Sequence, residues 1–296
     1  MPAIKIRQTN FRKGSLDKIN TMREIVDDYL GQDLRLTARQ LYYQLVSRNV
    51  IVNTERSYKN ITNLLADARY AGLIDWYAIE DRGREPLVWQ EFDNIAECAE
   101  RAIRNFRLRR WADQPNYAEL WVEKQALAGV LQPLAAEFHV TLMVNKGYSS
   151  ASAMYESASR FRRRMNTNKK LFLFYLGDHD PSGEDMVRDI AARLEEFGVE
   201  DLNVSKVALT MTQVEEHNPP PNPAKKTDSR FASYQQTHGD ESWEVDALPP
   251  AVLQELIRDA LENVLDREKF KAVMAVEEVE KDSLRKAAAK IAANHQ

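Results

Sequence analysis

The chain has 296 residues, of which 44% are hydrophobic and 29% charged, with a formal net charge of −4; this composition is ordinary for a folded protein of about two domains. It contains no apolar run near the roughly 20 residues that span a bilayer, and its basic N-terminus lacks the apolar segment of a signal peptide. The single cysteine, Cys98, excludes an internal disulfide and a cysteine-based zinc cluster, so we expect a cytoplasmic protein without membrane contact.

Charge is distributed unevenly along the chain. Residues 1–116 carry 19 Lys and Arg against 16 Asp and Glu, whereas the remainder carries 22 against 29. A basic front half and an acidic rear half are typical of a nucleic-acid-contacting module joined to a cation-binding one. Two ordinary solvated surfaces explain the same charges equally well.

The N-terminal part, residues 1–89, predicts three helices followed by a hairpin. A first helix spans about residues 15–30, and Thr37 is a typical N-cap for a second helix over LTARQLYYQLVSRN. Asn53 or Thr54 caps a third helix, and the aromatic and turn-rich segment LIDWYAIEDRGREP favours a small hairpin. This order is the layout of a winged helix-turn-helix domain, which usually places its third helix against DNA.

The third helix carries polar side chains that suit phosphates and base edges. They are Arg56, Lys59, Asn60, Asn63 and Arg69. A solvated helix face has the same composition, and many winged helices bind protein instead of DNA, so both alternatives stay open here.

Residues 90–113 predict a further amphipathic helix that ends in RAIRNFRLRRW, so residues 90–115 read as a helical connector. From residue 116 to residue 296 the pattern changes to short apolar runs separated by helical stretches. The runs are YAELWVEK, VTLMVNKG, KKLFLFYLGDHD and NVSKVALT. This alternation predicts an α/β domain with a parallel sheet, followed from about Pro250 by two long helices.

Acidic residues follow two of these predicted strands. Glu123 comes directly after the first, and Asp178 and Asp180 come after the third, in GDHDPSG. Because the carboxyl ends of parallel strands meet at one edge of the sheet, we expect the three carboxylates to hold Mg²⁺, with Mn²⁺ as a substitute. Turn residues of this type also occur by coincidence.

Two further segments offer contacts to the same site. Lys146 follows the second strand, on the edge where the carboxylates are expected. In the segment NPPPNPAKKTDSRFASYQQTHGDESWEVDALPP, basic residues suit phosphates and two acidic residues add metal-facing carboxylates. The basic residues are Lys225, Lys226 and Arg230, and the acidic ones are Glu244 and Asp246. A proline-stiffened surface loop accounts for the same residues.

At VEK and GDHDPSG the chain resembles the Toprim fold of topoisomerases, primases and several nucleases. The resemblance implies that Glu123 is a general acid/base or metal ligand and that Asp178 and Asp180 bind Mg²⁺. A winged helix followed by Toprim is similar to the A subunit of topoisomerase VI, the meiotic double-strand-break proteins and their compact Mini-A relatives. In that family a tyrosine nucleophile follows an arginine, and the matching residues here are Tyr43 and Arg39 in RQLYY.

The resemblance also implies a homodimer, because in that family the tyrosine and the metal come from different protomers. Three departures limit it: Gln40 stands where the family has an acid, the chain is shorter than a topoisomerase VI A subunit, and no ATPase domain is present. An ATPase or other partner would therefore have to act in trans.

Helix geometry gives an independent view of the two tyrosines. At 100° per residue Tyr42 shares one apolar arc with Ala38, Leu41 and Leu45, which predicts a core position. Tyr43 falls outside the arc, one turn after Arg39, so we expect it to be exposed and able to attack a phosphodiester. A surface tyrosine packed against the wing is the alternative.

The sequence thus predicts Mg²⁺-dependent cleavage of double-stranded DNA by Tyr43, with a covalent protein–DNA end as product. Two other functions fit the same residues. One is a Toprim nuclease in which water is the nucleophile, and the other is a non-enzymatic DNA-binding component of a mobile-element or defence complex.

Overall fold

A computed structural model describes residues 4–32, 34–80, 89–145, 147 and 149–293. Within these ranges the chain forms eleven α-helices and a four-stranded parallel sheet. The expected mixed α/β class is therefore confirmed. None of the helices in the described ranges is long and apolar enough to cross a membrane.

The N-terminal part forms the three helices expected from the sequence. Its elements are α1 (Lys13–Gly31), β1 (Leu36–Thr37), α2 (Ala38–Ser47), α3 (Glu55–Tyr70), a 3₁₀ turn (Trp76–Ala78) and β2 (Ile79–Glu80). Thr37 caps α2 in a reciprocal capping box with Gln40, and Thr54 caps α3 by accepting from Ser57 N. Gly72 follows the end of α3 with φ +73°, a conformation that favours glycine.

The segment after α3 differs from the expected hairpin within the described residues. Strand β2 pairs in parallel with β1, with Leu36 opposite Ile79, so the chain returns to the start of α2. The rest of the predicted hairpin, residues 81–86, lies outside the described residues.

The connector is helical over a shorter range than expected. Helix α4 (Ile95–Asn105) ends where Phe106 adopts an extended conformation, whereas the sequence predicted a helix to residue 113. Tertiary contacts explain the difference: Arg110 is buried against Glu277, and Trp111 Nε1 donates to the Phe138 carbonyl at 2.8 Å. These long-range contacts stabilise a non-helical conformation of the residues that follow α4.

The parallel sheet follows with its helices in alternation, as the apolar runs predicted. The elements are β3 (Asn116–Val122), α5 (Ala128–Phe138), β4 (Thr141–Val144), α6 (Ala151–Met165), β5 (Lys170–Leu176), α7 (Pro181–Glu196) and β6 (Leu202–Ala208). The strand order is β4-β3-β5-β6 and every pairing is parallel. A 3₁₀ turn over Gln125–Leu127 precedes α5.

Both faces of the sheet are covered. Leu120 and Val122 of β3 pack with α5 on one face, and Tyr117 and Trp121 pack with α6 and α7 on the other. Since alternate residues of a strand point to opposite faces, a strand buried on both sides reads as a continuous apolar run.

The segment between the sheet and the C-terminal helices folds back over the carboxyl end of β5. Its elements are α8 (Met211–His217), β7 (Asn222–Pro223), α9 (Phe231–His238), β8 (Glu241–Ser242) and a 3₁₀ turn (Val245–Ala247). The two C-terminal helices are α10 (Pro250–Glu262) and α11 (Arg267–Ala293). Ala247 packs into the N-terminal core with residues of α2, so this segment joins the two parts of the molecule.

Candidate metal centre and tyrosine groove

Three carboxylates converge beyond the carboxyl end of β5. Oxygens of Asp178, Glu244 and Asp246 lie within 4.8 Å of one another. Backbone pairing brings them together: His179 and Trp243 exchange N–H···O bonds of 2.8 and 2.9 Å, and Val245 N donates to Asp178 Oδ1 at 2.9 Å. The loop after β5 and the 3₁₀ turn at residues 245–247 are therefore held side by side.

An ammonium group sits among these carboxylates. Lys124, directly after Glu123 at the end of β3, places Nζ 2.7 Å from Asp178, 2.6 Å from Glu244 and 2.8 Å from Asp246. Burial alone would lower the pKa of Lys124, but the three carboxylates outweigh it and raise that pKa above its usual value. Lys124 is therefore a charged internal partner of the cluster.

The carboxylates also affect one another. Burial is the largest cause that raises the pKa of Asp178, and together with the charges of Glu123, Asp246 and Glu244 it brings that pKa to about 7, against the lowering effect of Lys124. The cluster is thus rich in negative charge that the residues of the chain only partly compensate.

One oxygen of the cluster accepts no hydrogen bond from the part of the chain that the structure describes. This oxygen is Oδ2 of Asp246, a residue that is 1% exposed, and Arg39 Nε lies 3.5 Å from it. A buried acceptor of this kind needs a partner, and carboxylate oxygens are the donor atoms that Mg²⁺ and Mn²⁺ prefer. The residues present therefore fit a divalent cation.

The three carboxylates expected from the sequence to bind metal do not all lie in the cluster. Asp178 belongs to the cluster, but Asp180 caps α7, since its Oδ1 accepts from Gly183 N at 2.6 Å and from Ser182 Oγ at 2.9 Å. Glu123 lies beside the cluster, where its Oε2 accepts from Asp178 N at 3.2 Å. Within the described ranges neither Glu123 nor Asp180 belongs to a group of three mutually close ligands.

Tyr43 is buried, so the expectation of an exposed tyrosine is wrong. Only 3% of Tyr43 is exposed, because its side chain packs in the N-terminal hydrophobic core. The amide of Asn222 donates to the Tyr43 hydroxyl at 3.4 Å. Burial raises the pKa of the Tyr43 phenol, and the charge of Glu244 raises it further, although the Asn222 bond and Arg39 lower it. The neighbouring Tyr42 is buried as expected, and its hydroxyl donates to Asn53 Oδ1 at 2.9 Å.

Arg39 connects this tyrosine to the acidic cluster. Its guanidinium hydrogen-bonds to Glu244 and lies 5.9 Å from the centre of the Tyr43 ring. The Arg39 guanidinium therefore lies between Tyr43 and the carboxylates of the same chain.

A groove of about 760 Å³ opens beside these residues. It is lined by Arg39, Tyr42, Tyr43, Asn53, Thr54, Glu55, Tyr58, Lys59, Asn222, Pro223 and Glu244. The groove runs from α3 to the acidic cluster, and Tyr43 lies on its wall.

Four of the five α3 residues proposed for DNA contact are exposed. Arg56, Lys59, Asn60 and Asn63 face solvent, and Lys59 also lines the groove. Arg69 differs, because its guanidinium stacks over Trp76 at 4.5 Å and donates to the Trp76 carbonyl at 2.7 Å. Arg69 therefore stabilises the end of α3.

The remaining basic candidates are dispersed. Lys225 and Lys226 are exposed before α9, whereas Arg230 pairs with Asp185 of α7 at 2.9 Å. Lys146 lies outside the described residues.

Sequence reasoning missed Lys124 and Asn222. The signal for Lys124 was its place next to Glu123 at a strand end, but nothing local shows that two of its partners, Glu244 and Asp246, lie more than a hundred residues away. Asn222 stands in a proline-rich stretch without a distinguishing pattern. The chain matches no protein-family model and no curated protein.

Proposed function

We propose that the protein cleaves DNA by transesterification, with Tyr43 as nucleophile and a divalent cation in the Asp178–Glu244–Asp246 cluster. In this proposal residues 1–89 act as a winged-helix DNA-binding domain and residues 116–296 as a Toprim domain with a helical extension. The supporting observation is Arg39, which bonds Glu244 while it lies 5.9 Å from the Tyr43 ring. A guanidinium in this position is suited to hold a phosphodiester between the tyrosine and the cluster.

The proposed transesterification needs no further reactant. The Tyr43 oxygen bonds to phosphorus while the bond from phosphorus to one deoxyribose oxygen breaks. The phenolic proton leaves to a base, and the released sugar oxygen takes up a proton. The products are a phosphotyrosine ester and a free hydroxyl end.

Both oxygens of Glu244 accept from Arg39, and one also accepts from Lys124, so we assign the phenolic proton to solvent in the groove. Since burial raises the pKa of Tyr43, the phenol needs a base to react near neutral pH. Mg²⁺ or Mn²⁺ held by Asp178, Glu244 and Asp246 would supply positive charge toward the phosphate.

The direction of DNA approach follows from α3. Its exposed polar face carries Arg56, Lys59, Asn60 and Asn63, and Lys59 is shared with the tyrosine groove. Duplex bound along this face would bring a phosphate toward Tyr43. A homodimer would bring two such grooves to one duplex and produce a double-strand cut.

Supercoiled plasmid tests this proposal. The protein is incubated with plasmid and Mg²⁺ or Mn²⁺, denatured, and analysed with and without proteinase K. We expect cleaved DNA with protein attached to its ends, no adduct with Tyr43→Phe, and normal adduct with Tyr58→Phe, a matched tyrosine in the same groove. An adduct that survives in Tyr43→Phe overturns the assignment.

The burial of Tyr43 favours one alternative, a hydrolytic nuclease in which water attacks the phosphodiester. Such an enzyme needs the acidic cluster but not the phenol. Free DNA ends, retained in Tyr43→Phe and lost in Asp178→Asn, would establish the nuclease. Absence of any cleavage together with retained DNA binding would favour a binding component of a larger complex.

A further inference from the structure

A second charged site lies at the opposite edge of the sheet from the acidic cluster. Tyr117 stands near the start of β3 and Thr141 begins β4, so both mark the amino ends of their strands. A cavity of about 460 Å³ opens there. It is lined by Arg109, Tyr117, Thr141, Arg160, Arg163 and Arg164.

One of these four arginines is neutralised. Arg160 pairs with the fully buried Glu119 through Nε at 2.8 Å and Nη2 at 2.9 Å. The same carboxylate accepts from the Tyr117 hydroxyl at 2.8 Å and from Trp121 Nε1 at 3.0 Å. Four donors occupy the two oxygens of Glu119, so this carboxylate is not available to another guanidinium.

The other three arginines have no carboxylate partner within the described ranges. Arg163 donates through Nε to the Ser159 carbonyl at 3.1 Å, and Arg164 lies 5.2 Å from the centre of the Tyr117 ring. Arg109 is exposed and reaches the cavity from the segment after α4. Three positive charges therefore converge without a matching acid.

Helix electrostatics explain only part of this arrangement. Basic residues are favoured in the last turn of a helix, which accounts for Arg163 and Arg164 at the end of α6. It does not account for Arg109, which belongs to a different element. Lys169 lies in the same positive surroundings: burial lowers the pKa of Lys169 and the charge of Arg164 lowers it further, although Asp113 raises it.

We propose that this cavity binds a multiply charged phosphate group, such as a di- or triphosphate. A guanidinium can donate two parallel N–H bonds to two oxygens of one phosphate group. An anion that binds between the arginines also reduces the repulsion among their positive charges. The site is separate from the metal centre and does not depend on the proposed cleavage reaction.

Titration calorimetry of the full chain with inorganic tripolyphosphate tests the proposal. We expect saturable binding by the wild type and at least tenfold weaker binding by the double variant Arg163→Gln, Arg164→Gln. Arg188→Gln with Arg285→Gln removes the same charge from exposed arginines elsewhere and should bind normally. Absence of wild-type binding, or equal weakening in both double variants, overturns the site.

Further variants distinguish loss of phosphate binding from misfolding and from failure of the cleavage proposal. Arg109→Gln, at an exposed residue outside the helix, should also weaken binding, and thermal melting verifies that each variant is folded. Tyr43→Phe should bind tripolyphosphate as the wild type does, so failure of the cleavage proposal leaves this result unaffected. Displacement of tripolyphosphate by a nucleoside triphosphate assigns the site to free nucleotides, whereas displacement by a short DNA duplex assigns it to a nucleic-acid backbone.

Discussion

Lys124 Nζ lies 2.8 Å from Asp246 Oδ1, while the other oxygen of Asp246 is buried and accepts no hydrogen bond from the described residues. The same ammonium contacts Asp178 and Glu244, so one side-chain cation serves all three carboxylates of the candidate metal centre. A divalent cation at this centre must compete with Lys124 for the same oxygens. Metal affinity and the charge of Lys124 are therefore linked.

Replacing Lys124 by Met should lower the melting temperature of the metal-free protein and raise its affinity for metal. Without metal the carboxylates lose their shared cation and repel one another, so the melting temperature should fall. With Mg²⁺ or Mn²⁺ the competitor is absent, and we expect affinity to increase about tenfold, equivalent to about 1.4 kcal/mol. Melting curves across a metal series, together with calorimetry, measure both effects.

Lys206→Met is the matched control for that experiment. Lys206 is a nearby lysine that contacts Glu184 and the Asp178 carbonyl, but it does not lie among the three carboxylates. It should leave metal affinity within about twofold of the wild type. If Lys124→Met binds metal no more tightly than the wild type, the competition does not exist.

Arg39→Gln should slow DNA cleavage, because it removes the guanidinium that lies between Tyr43 and the acidic cluster. Loss of a guanidinium at a reacting phosphate costs on the order of 10²–10³ in rate by analogy with other charge-stabilising donors. We expect such a loss of plasmid cleavage with little loss of DNA binding, and only partial recovery in Arg39→Lys, which lacks the planar fork. Arg35→Gln serves as the control, because the Arg35 guanidinium donates to the Tyr77 carbonyl and not to the acidic cluster. Unchanged cleavage in Arg39→Gln would remove this residue from the mechanism.

Gly183→Ala should disturb the loop that carries Asp178. A Cβ atom at this position would lie 2.1 Å from the Asp178 carbonyl oxygen, and backbone cannot give way as a flexible side chain can. Steric strain of this kind costs about 1–3 kcal/mol, and the shifted Asp178 should also weaken metal binding. Denaturant unfolding and metal titration test the two effects.

Gly14→Ala provides the comparison, because an added Cβ meets nothing within 4 Å at that position of α1. It should be neutral or stabilise the protein by up to about 1 kcal/mol, since alanine favours a helix. Equal effects of the two substitutions would contradict the steric argument.

Glu277 should make the protein sensitive to acid. Burial would raise the pKa of this carboxylate, but hydrogen bonds from Arg110, Lys281 and Leu108 N lower it from 4.5 to about 2. Since the folded pKa is the lower one, the stabilisation is complete well above pH 4.5 and is lost as the pH falls toward 2. We expect about 2–3 kcal/mol in total, more than half of it lost between pH 6 and pH 3.

The test compares unfolding of the wild type and Glu277→Gln by urea at pH 6 and at pH 3. The difference between the two proteins should shrink on acidification, because glutamine does not titrate. A difference that stays constant would show that the ionised form of Glu277 does not stabilise α11 against the connector.

Local patterns were sufficient for most of the architecture. Apolar runs predicted the four strands of the sheet. The cap at Thr37 predicted the start of α2, and of the two candidates for α3, Asn53 and Thr54, the cap is Thr54. These signals are readable because strand burial and helix capping depend on residues a few positions apart. The prediction for the end of α4 was wrong, since Arg110 in the segment after α4 pairs with Glu277 of α11, far along the chain.

The sequence by itself determined the α/β class and placed Glu123 and Asp178 at strand ends. It also offered Glu244 and Asp246 as metal-facing carboxylates, and the structure groups both of them with Asp178. Only the tertiary structure decided that Lys124 lies among them and that Tyr43 is buried. The N–H···O bonds that His179 and Trp243 exchange join the two segments through backbone groups, and every residue except proline has both the donor and the acceptor. Backbone pairing of this kind leaves no residue-specific pattern, so the partners of these side chains emerge only when the chain is folded.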